Sequence, residues 1–333
     1  MPSERSNIVG IKPTVGLTSR YLVVPISEHQ DTVGPMARTV KDAATILQAI
    51  AGPDPNDNYT SAIPNGGAVP DYVAACNHSA FQGARIGIPH NVIALLARNT
   101  TQPITAAFDS AITLMRGAGA TILDTPFPAA AAFLTSPLET QLLNAAFVVN
   151  LATYLSRLRT NPAAVHTLSD VAAFTRAHPA EGYPQRGTSL WDAAAAQGWN
   201  SSDPRFWAAY NRGVGEFGGA GGLLGALERA ALDAVVLPTV FASRWAALVG
   251  APVVSVPLGF YPPGCDVVPA RPERYGLVDV GPGVPFGLSF LGARFAEERL
   301  IGFAYAFEQR TLVRRMGRPY VVPSVEIGDI VGR

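Results

Sequence analysis

Apolar residues return along this chain in two alternating rhythms. Short, nearly continuous apolar runs predict buried strands, and longer stretches with an apolar residue every three or four positions predict helices with one face in a core. Residues 7–14 (NIVGIKPT) predict a short buried strand stopped by Pro13, and 23–27 form another short apolar run. Thr39 is placed to cap a helix over 40–50, in which Val40, Ala43, Ala44, Leu47 and Ile50 share a face and which Gly52 and Pro53 end. Residues 53–70 are rich in Pro, Asn, Asp and Gly and predict a loop. A strand over 84–88, a helix presenting Ile104, Phe108, Ala111, Ile112 and Met115, and a strand over 120–123 make a βαβ unit, ended at the helix by Gly117 and Gly119. Its two strands are expected to be parallel with a right-handed crossover.

The middle of the chain predicts helices. One runs over 138–158 with Leu142, Ala145, Ala146, Val149, Tyr154 and Leu155 as its apolar positions, a shorter one covers 167–176, and another covers 206–212. Residues 177–205 are polar and broken by Pro and Gly. Beyond this mostly helical insertion, at about 135–215, the pattern predicts a helix over 221–230 and a strand over 234–237. A fully buried strand follows over 252–258 (PVVSVPL), judged by its valines. A Pro/Gly-rich excursion over 261–284 leads to a strand over 286–291 and a helix over 297–310 that buries Leu300, Ile301, Ala304 and Phe307. The alternation gives an α/β class with a mixed, largely parallel central sheet flanked by helices, in a single domain over 1–333.

Composition narrows the partners. Of 333 residues, 48% are hydrophobic and 15% charged, the reverse of a disordered chain. Twenty-five basic residues balance twenty-five acidic ones with no basic stripe, so neither a nucleic-acid footprint nor a polybasic membrane surface is expected. No run of 18 apolar residues predicts a transmembrane helix. Cys76 and Cys265 lie far apart and outside any C-x-x-C pair, which disfavours zinc. A disulfide stays open, with two free buried thiols the simpler reading. Sequons at Asn58, Asn77, Asn99 and Asn200 permit secretion without arguing for it, so the compartment is open between cytoplasmic and secreted.

Several motifs fail on context. Residues 213–218 fit G-x-G-x-x-G but follow a predicted helix rather than a strand, with no acidic residue placed for a ribose, so a flexible glycine loop is the better reading than a dinucleotide site. There is no G-x-S-x-G elbow and no P-loop. His29, His78, His90, His166 and His178 show no metal-binding spacing, and Glu28 and Asp31 are close in sequence without that making a carboxylate dyad. No metal and no cofactor is expected.

Two blocks carry more information. The first is V-G-I-K-P-T-V-G over 9–16, followed by D-T-V-G-P-M-A-R-T-V-K-D-A-A over 31–44. The second is L-D-A-V-V-L-P-T over 232–239, then 252–259, P-F-G-L-S-F-L-G over 285–292 and the helix over 298–311. Together with Tyr154, Leu155 and T-L-S-D over 167–170, they closely resemble the amidase signature family, in its fungal type, over essentially the whole chain.

The resemblance implies a fold, an activity and a gap. Members hydrolyse amides with a serine–cis-serine–lysine triad. Pro2 matches the proline that closes the nucleophile motif, which would put the nucleophilic serine three residues upstream of Met1, with the bridging serine and the lysine further upstream. The expectation is therefore an N-terminally incomplete fold with no catalytic residue of its own. The chemistry agrees, since a serine needs a base to attack an amide. Only Lys12 and Lys41 could serve; Lys12 matches a family lysine outside the triad, and Lys41 falls on a polar helix face. The resemblance places Asp31, with Arg38 as a candidate partner, beside the active site, and Thr239, Phe241 and Ser255 toward the substrate cavity. Phe303 and Phe307 are read as core. The implied partner is a small-molecule amide in the full-length form, with a homodimer or dependence on the missing N-terminal segment left open. The rival reading is a non-catalytic protein that binds a partner or small molecule. It carries an expectation of exposed apolar surface and open sheet edges.

Overall fold

The computed structural model describes residues 2–270, 277–319, 321–322 and 324–325. Among them run nine strands: β1 (Val9–Lys12), β2 (Met36–Ala37), β3 (Arg85–Ile88), β4 (Thr121–Asp124), β5 (Ala234–Pro238), β6 (Val253–Phe260), β7 (Val268–Pro269), β8 (Val278–Val280) and β9 (Pro285–Leu291). Seven form one sheet in the order β2-β1-β6-β9-β5-β3-β4, and β7 pairs with β8 in a separate ribbon. The Pro/Gly-rich excursion thus contains a ribbon, although residues 271–276 lie outside the described set.

The α/β class and the mixed, helix-flanked sheet are as the sequence predicts, and β3 and β4 are the parallel neighbours of the βαβ unit. The weighting toward parallel pairing needs correction. Only β3–β4 and β3–β5 are parallel, whereas β1–β2, β1–β6, β5–β9 and β6–β9 are antiparallel. Two of these antiparallel pairs come from β9, which returns after the ribbon and inserts between β5 and β6, running opposite to both, and the other two from β1. An antiparallel return needs no crossover helix.

Alternation along the central strands separates two cores. On one face Ala234, Val236, Val254, Val256, Leu288 and Phe290 pack with the helices Val40–Ile50, Gln102–Gly117 and Glu297–Thr311. On the other, Val235, Leu237, Val253 and Leu291 pack with Trp245, Phe133, Phe206, Phe217 and Leu223. The helix Leu138–Ser156 joins the second core through Leu138, Leu142, Ala145 and Ala146. Its far half builds a satellite core from Leu151, Leu155, Leu168 and Ala194.

Local signals mark some helix starts. Thr39 accepts from the Asp42 N–H, and Thr167 forms a reciprocal capping box with Asp170. Several elements differ from expectation, among them the unpredicted helices His90–Leu96 and Ala130–Thr135. The polar stretch contains a helix, Ser189–Ala196, and Thr239–Leu248 is also helical. Residues 213–220 form a wide helical turn rather than a flexible loop. Gly213 and Gly218 are buried there, and a Cβ on Gly218 would sit 2.0 Å from the Val249 side chain, so these glycines serve close packing. Ile50 and the run at 23–27 depart as well: Ile50, Val23, Val24 and Ile26 are all exposed. Cys76 and Cys265 are half-buried free thiols, and burial pushes the Cys76 thiol up to about 11. No helix among the described residues is long and apolar enough to cross a membrane.

Candidate functional site

On the second face of the sheet the apolar pattern of β6 and β9 is interrupted at matching places. Ser255 and Ser289 are register partners across the two strands, and Gly287 lies opposite Pro257. The short helix Pro2–Arg5 settles on this interruption. Ser3 and Ser255 share a hydrogen bond at 3.0 Å, and Ser289 donates to Thr239 Oγ1 at 2.9 Å. The Gly287 N–H points to Glu4 Oε2 at 3.3 Å, and burial holds the Glu4 carboxyl above its ordinary value. Such close seating requires glycine beneath the helix. A Cβ on Gly10 would lie 2.5 Å from Ser3 Oγ, and one on Gly287 would lie 2.7 Å from Thr239 Oγ1.

Two of the four residues that the sequence places at the site therefore meet. Ser255 lies in register with Ser289, whose hydroxyl bonds to Thr239, while Phe241 is buried in the first turn of the helix Thr239–Leu248. Thr239, Phe241 and Ser255 are 3%, 5% and 8% exposed, so this face is closed to solvent in the chain as it stands. Sequence reasoning missed Ser3, Glu4 and Ser289. The signal for Ser289 was a serine in the middle of each of two apolar strands, which acquires meaning only with the register.

Asp31 lies in a different place. Its Oδ2 accepts the Ile26 and Ser27 N–H groups at 2.7 and 2.9 Å, and burial holds the carboxyl above its ordinary value. Asp31 lines a cleft with Tyr59 and Tyr154, whereas Arg38 lines another with Thr39 and Glu308. The expected Asp31–Arg38 bracing is thus replaced by backbone capping of the loop. The arginine nearby is Arg20, which pairs with Asp57 through Nε and Nη2 at 2.8 and 2.7 Å. Beside it His29 is enclosed by Tyr59, Phe206, Trp207 and Tyr210, shares a hydrogen bond with the Tyr59 hydroxyl at 2.8 Å, and has its pKa lowered by burial.

Neither lysine sits beside a hydroxyl that it would activate. Lys12 Nζ donates to the Ala251 and Pro13 carbonyls at 2.7 and 3.2 Å. Burial pulls its pKa down to about 8, against the pull of Glu297. The buried Glu297 accepts the Thr14 N–H at 2.6 Å through Oε1, and its Oε2 has no hydrogen-bond partner among the described residues. Lys41 is exposed on the helix Val40–Ile50. Among the described residues no group of three His, Cys, Asp or Glu side chains is arranged to hold a metal ion. The hydroxyls of Ser3, Ser255, Ser289 and Thr239 bond to one another and to backbone, with no lysine or histidine as partner. Such a face can position a segment, but no lysine or histidine stands there as a base to make a nucleophile.

Comparison with known proteins agrees with this architecture. A family model described as amidase matches residues 1–301. A candidate amidase of Arthroderma benhamiae is 48% identical over 331 residues, which are 99% of this chain and 55% of that protein. A candidate amidase of Arabidopsis thaliana is 33% identical over 94% of this chain and 55% of its own length. Among solved structures, the peptide amidase from Stenotrophomonas maltophilia superposes with a TM-score of 0.77 at 32% identity, covering 96% of this chain and 61% of that one. The chain spans about half the length of the curated relatives it matches. On the match over residues 1–301 and the shared fold, the chain belongs to the amidase signature family.

Proposed function

We propose that this chain forms the substrate-cavity side of an amide hydrolase whose serine–serine–lysine triad is supplied by a segment other than residues 1–333, and that the chain alone does not turn over amides. One observation carries the reading: Lys12 is bound to two carbonyls and Lys41 lies on an exposed helix face, so no serine here has a lysine as its base. Removing one member of such a catalytic assembly abolishes most of its rate enhancement, because the members act as a unit. In the assembled enzyme a small-molecule amide is the substrate. Thr239, Phe241 and Ser255 then support the floor behind the nucleophile, and Asp31 holds the loop beside it.

A fluorophosphonate probe, which traps activated serines, tests this directly. The intact Arthroderma benhamiae relative is expected to label on one serine, and residues 1–333 are expected to stay unlabelled. Stoichiometric labelling of Ser3, Ser255 or Ser289 in this chain would overturn the proposal. Failure of the intact relative to label would favour the non-catalytic reading.

A further inference from the structure

The cleft lined by Asp31 lies between the 20–31 segment, the loop at 56–59 and the end of the helix Leu138–Ser156. Its volume is about 230 Å3. At roughly 30 Å3 per water it displaces about eight waters, the bulk of a single-ring molecule. Tyr21, Leu22, Val23, Tyr59, Tyr154 and Leu158 form an apolar and aromatic wall, and asparagines and a threonine line much of the rest. Leu22 is 66% exposed at the lip and is held at φ +64, a left-handed conformation uncommon for leucine. Backbone held this way concentrates at ligand clamps and switch regions.

The charges in the cleft are not balanced. Arg20 is consumed by Asp57, which it grips with two nitrogens, and it also stacks on Tyr59 at 4.4 Å. That leaves Asp31 and Glu28. One Asp31 oxygen takes the two loop N–H groups, and the other has no protein donor among the described residues. Among the described residues Glu28 has only the His29 Nε2, at 3.7 Å, and burial favours the neutral imidazole. The remaining cation, Arg157, has no carboxylate partner among the described residues and sits at the exposed C-terminal end of the long helix. With Arg20 set against Asp57, Asp31 and Glu28 against the outlying Arg157 leave an excess of one negative charge beside the aromatic wall, Glu28 being partly exposed. Ammonium groups are attracted both by carboxylates and by tyrosine faces.

We propose that this cleft binds a small amphiphilic primary amine, its ammonium on Asp31 and Glu28 and its apolar body against Tyr21, Tyr154 and Leu158. The site shares only Asp31 with the hydrolase reading, and it needs no turnover. Its failure and the failure of that reading are therefore read in separate experiments.

The test is calorimetric titration of the chain at neutral pH with three probes of matched shape: 2-phenylethylamine, 2-phenylethanol and 3-phenylpropionate. The amine is expected to saturate one site, with the alcohol and the anion at least about tenfold weaker. Glu28→Gln and Asp31→Asn are each expected to weaken the amine about tenfold with the melting transition retained. Equal or tighter binding of 3-phenylpropionate would overturn the proposal, since Arg157 would then rule the cleft. So would the absence of saturation by the amine, or amine affinity unchanged in Glu28→Gln. The three-probe comparison on the unaltered chain stands even where Asp31→Asn loosens the loop.

Discussion

Ser255 and Ser289 face each other across β6 and β9, yet each bonds away from the other, Ser255 to Ser3 and Ser289 to Thr239. This divergence ties two separate helices, Pro2–Arg5 and Thr239–Leu248, to the centre of the sheet. The polar interruption in two otherwise apolar strands is thus a docking point for the segments that flank the proposed cavity.

Ser255→Ala is expected to destabilise the chain by about 1–3 kcal/mol, because Ser3 Oγ keeps its burial and loses its partner. Urea denaturation measures this as a fall in midpoint at constant slope. A change within about 0.5 kcal/mol would show that the Ser3–Ser255 contact is incidental.

Gly10→Ala is expected to lift the helix Pro2–Arg5 from the sheet, because the added methyl would lie 2.5 Å from Ser3 Oγ and 2.7 Å from Ser3 Cβ. The cost is on the order of 1–3 kcal/mol for overpacking. Removing the obstructing side chain in Gly10→Ala/Ser3→Gly is expected to recover part of that loss. Strictly additive losses in the double variant would place the cost somewhere other than this contact.

How much of this was legible follows from which signals are local. β6 and β9 were readable because their apolar runs are bounded by proline and glycine, and the helix Val40–Ile50 because Thr39 caps it. The helix Thr239–Leu248 was not, since it starts straight after a strand without a side-chain cap and opens on β-branched residues. The glycines at 213–218 read as a loop because only tertiary packing against Leu248 and Val249 turns them helical. At the site, the resemblance pointed to Thr239 and Ser255. Their partners Ser289 and Ser3 depend on strand register and on a contact spanning 252 positions, which no local pattern encodes.

His29 gives the chain an acid-side dependence. Its imidazole lies among four aromatic rings and burial lowers its pKa, with Glu28 opposing and Arg20 reinforcing the shift. The unfolded state therefore takes up a proton at about pH 6.5 while the folded state still resists it. This contribution to stability is full above that pH and is lost as pH falls toward the folded value. His29→Gln is expected to flatten that part of the stability–pH curve. An unchanged slope between about pH 5 and 7 in the variant would assign it to other groups.

Lys12 is expected to titrate near 8, because its ammonium is buried with two carbonyls as direct partners. An unfolded lysine keeps its proton to about 10.4, so folding stability is expected to rise with pH between the two values. After reductive 13C-methylation, the Lys12 methyl resonance reports the titration directly. A midpoint close to the ordinary lysine value would mean that the ammonium is solvated.

Turnover by the isolated chain tests most directly the proposed cavity scaffold without a lysine base of its own. Purified residues 1–333 are incubated with peptide amides and small carboxamides beside the intact Arthroderma benhamiae relative, and ammonia release is followed. The expected result is release by the relative and a rate indistinguishable from buffer for this chain. Hydrolysis by the chain alone, abolished by Lys12→Met, would contradict the account.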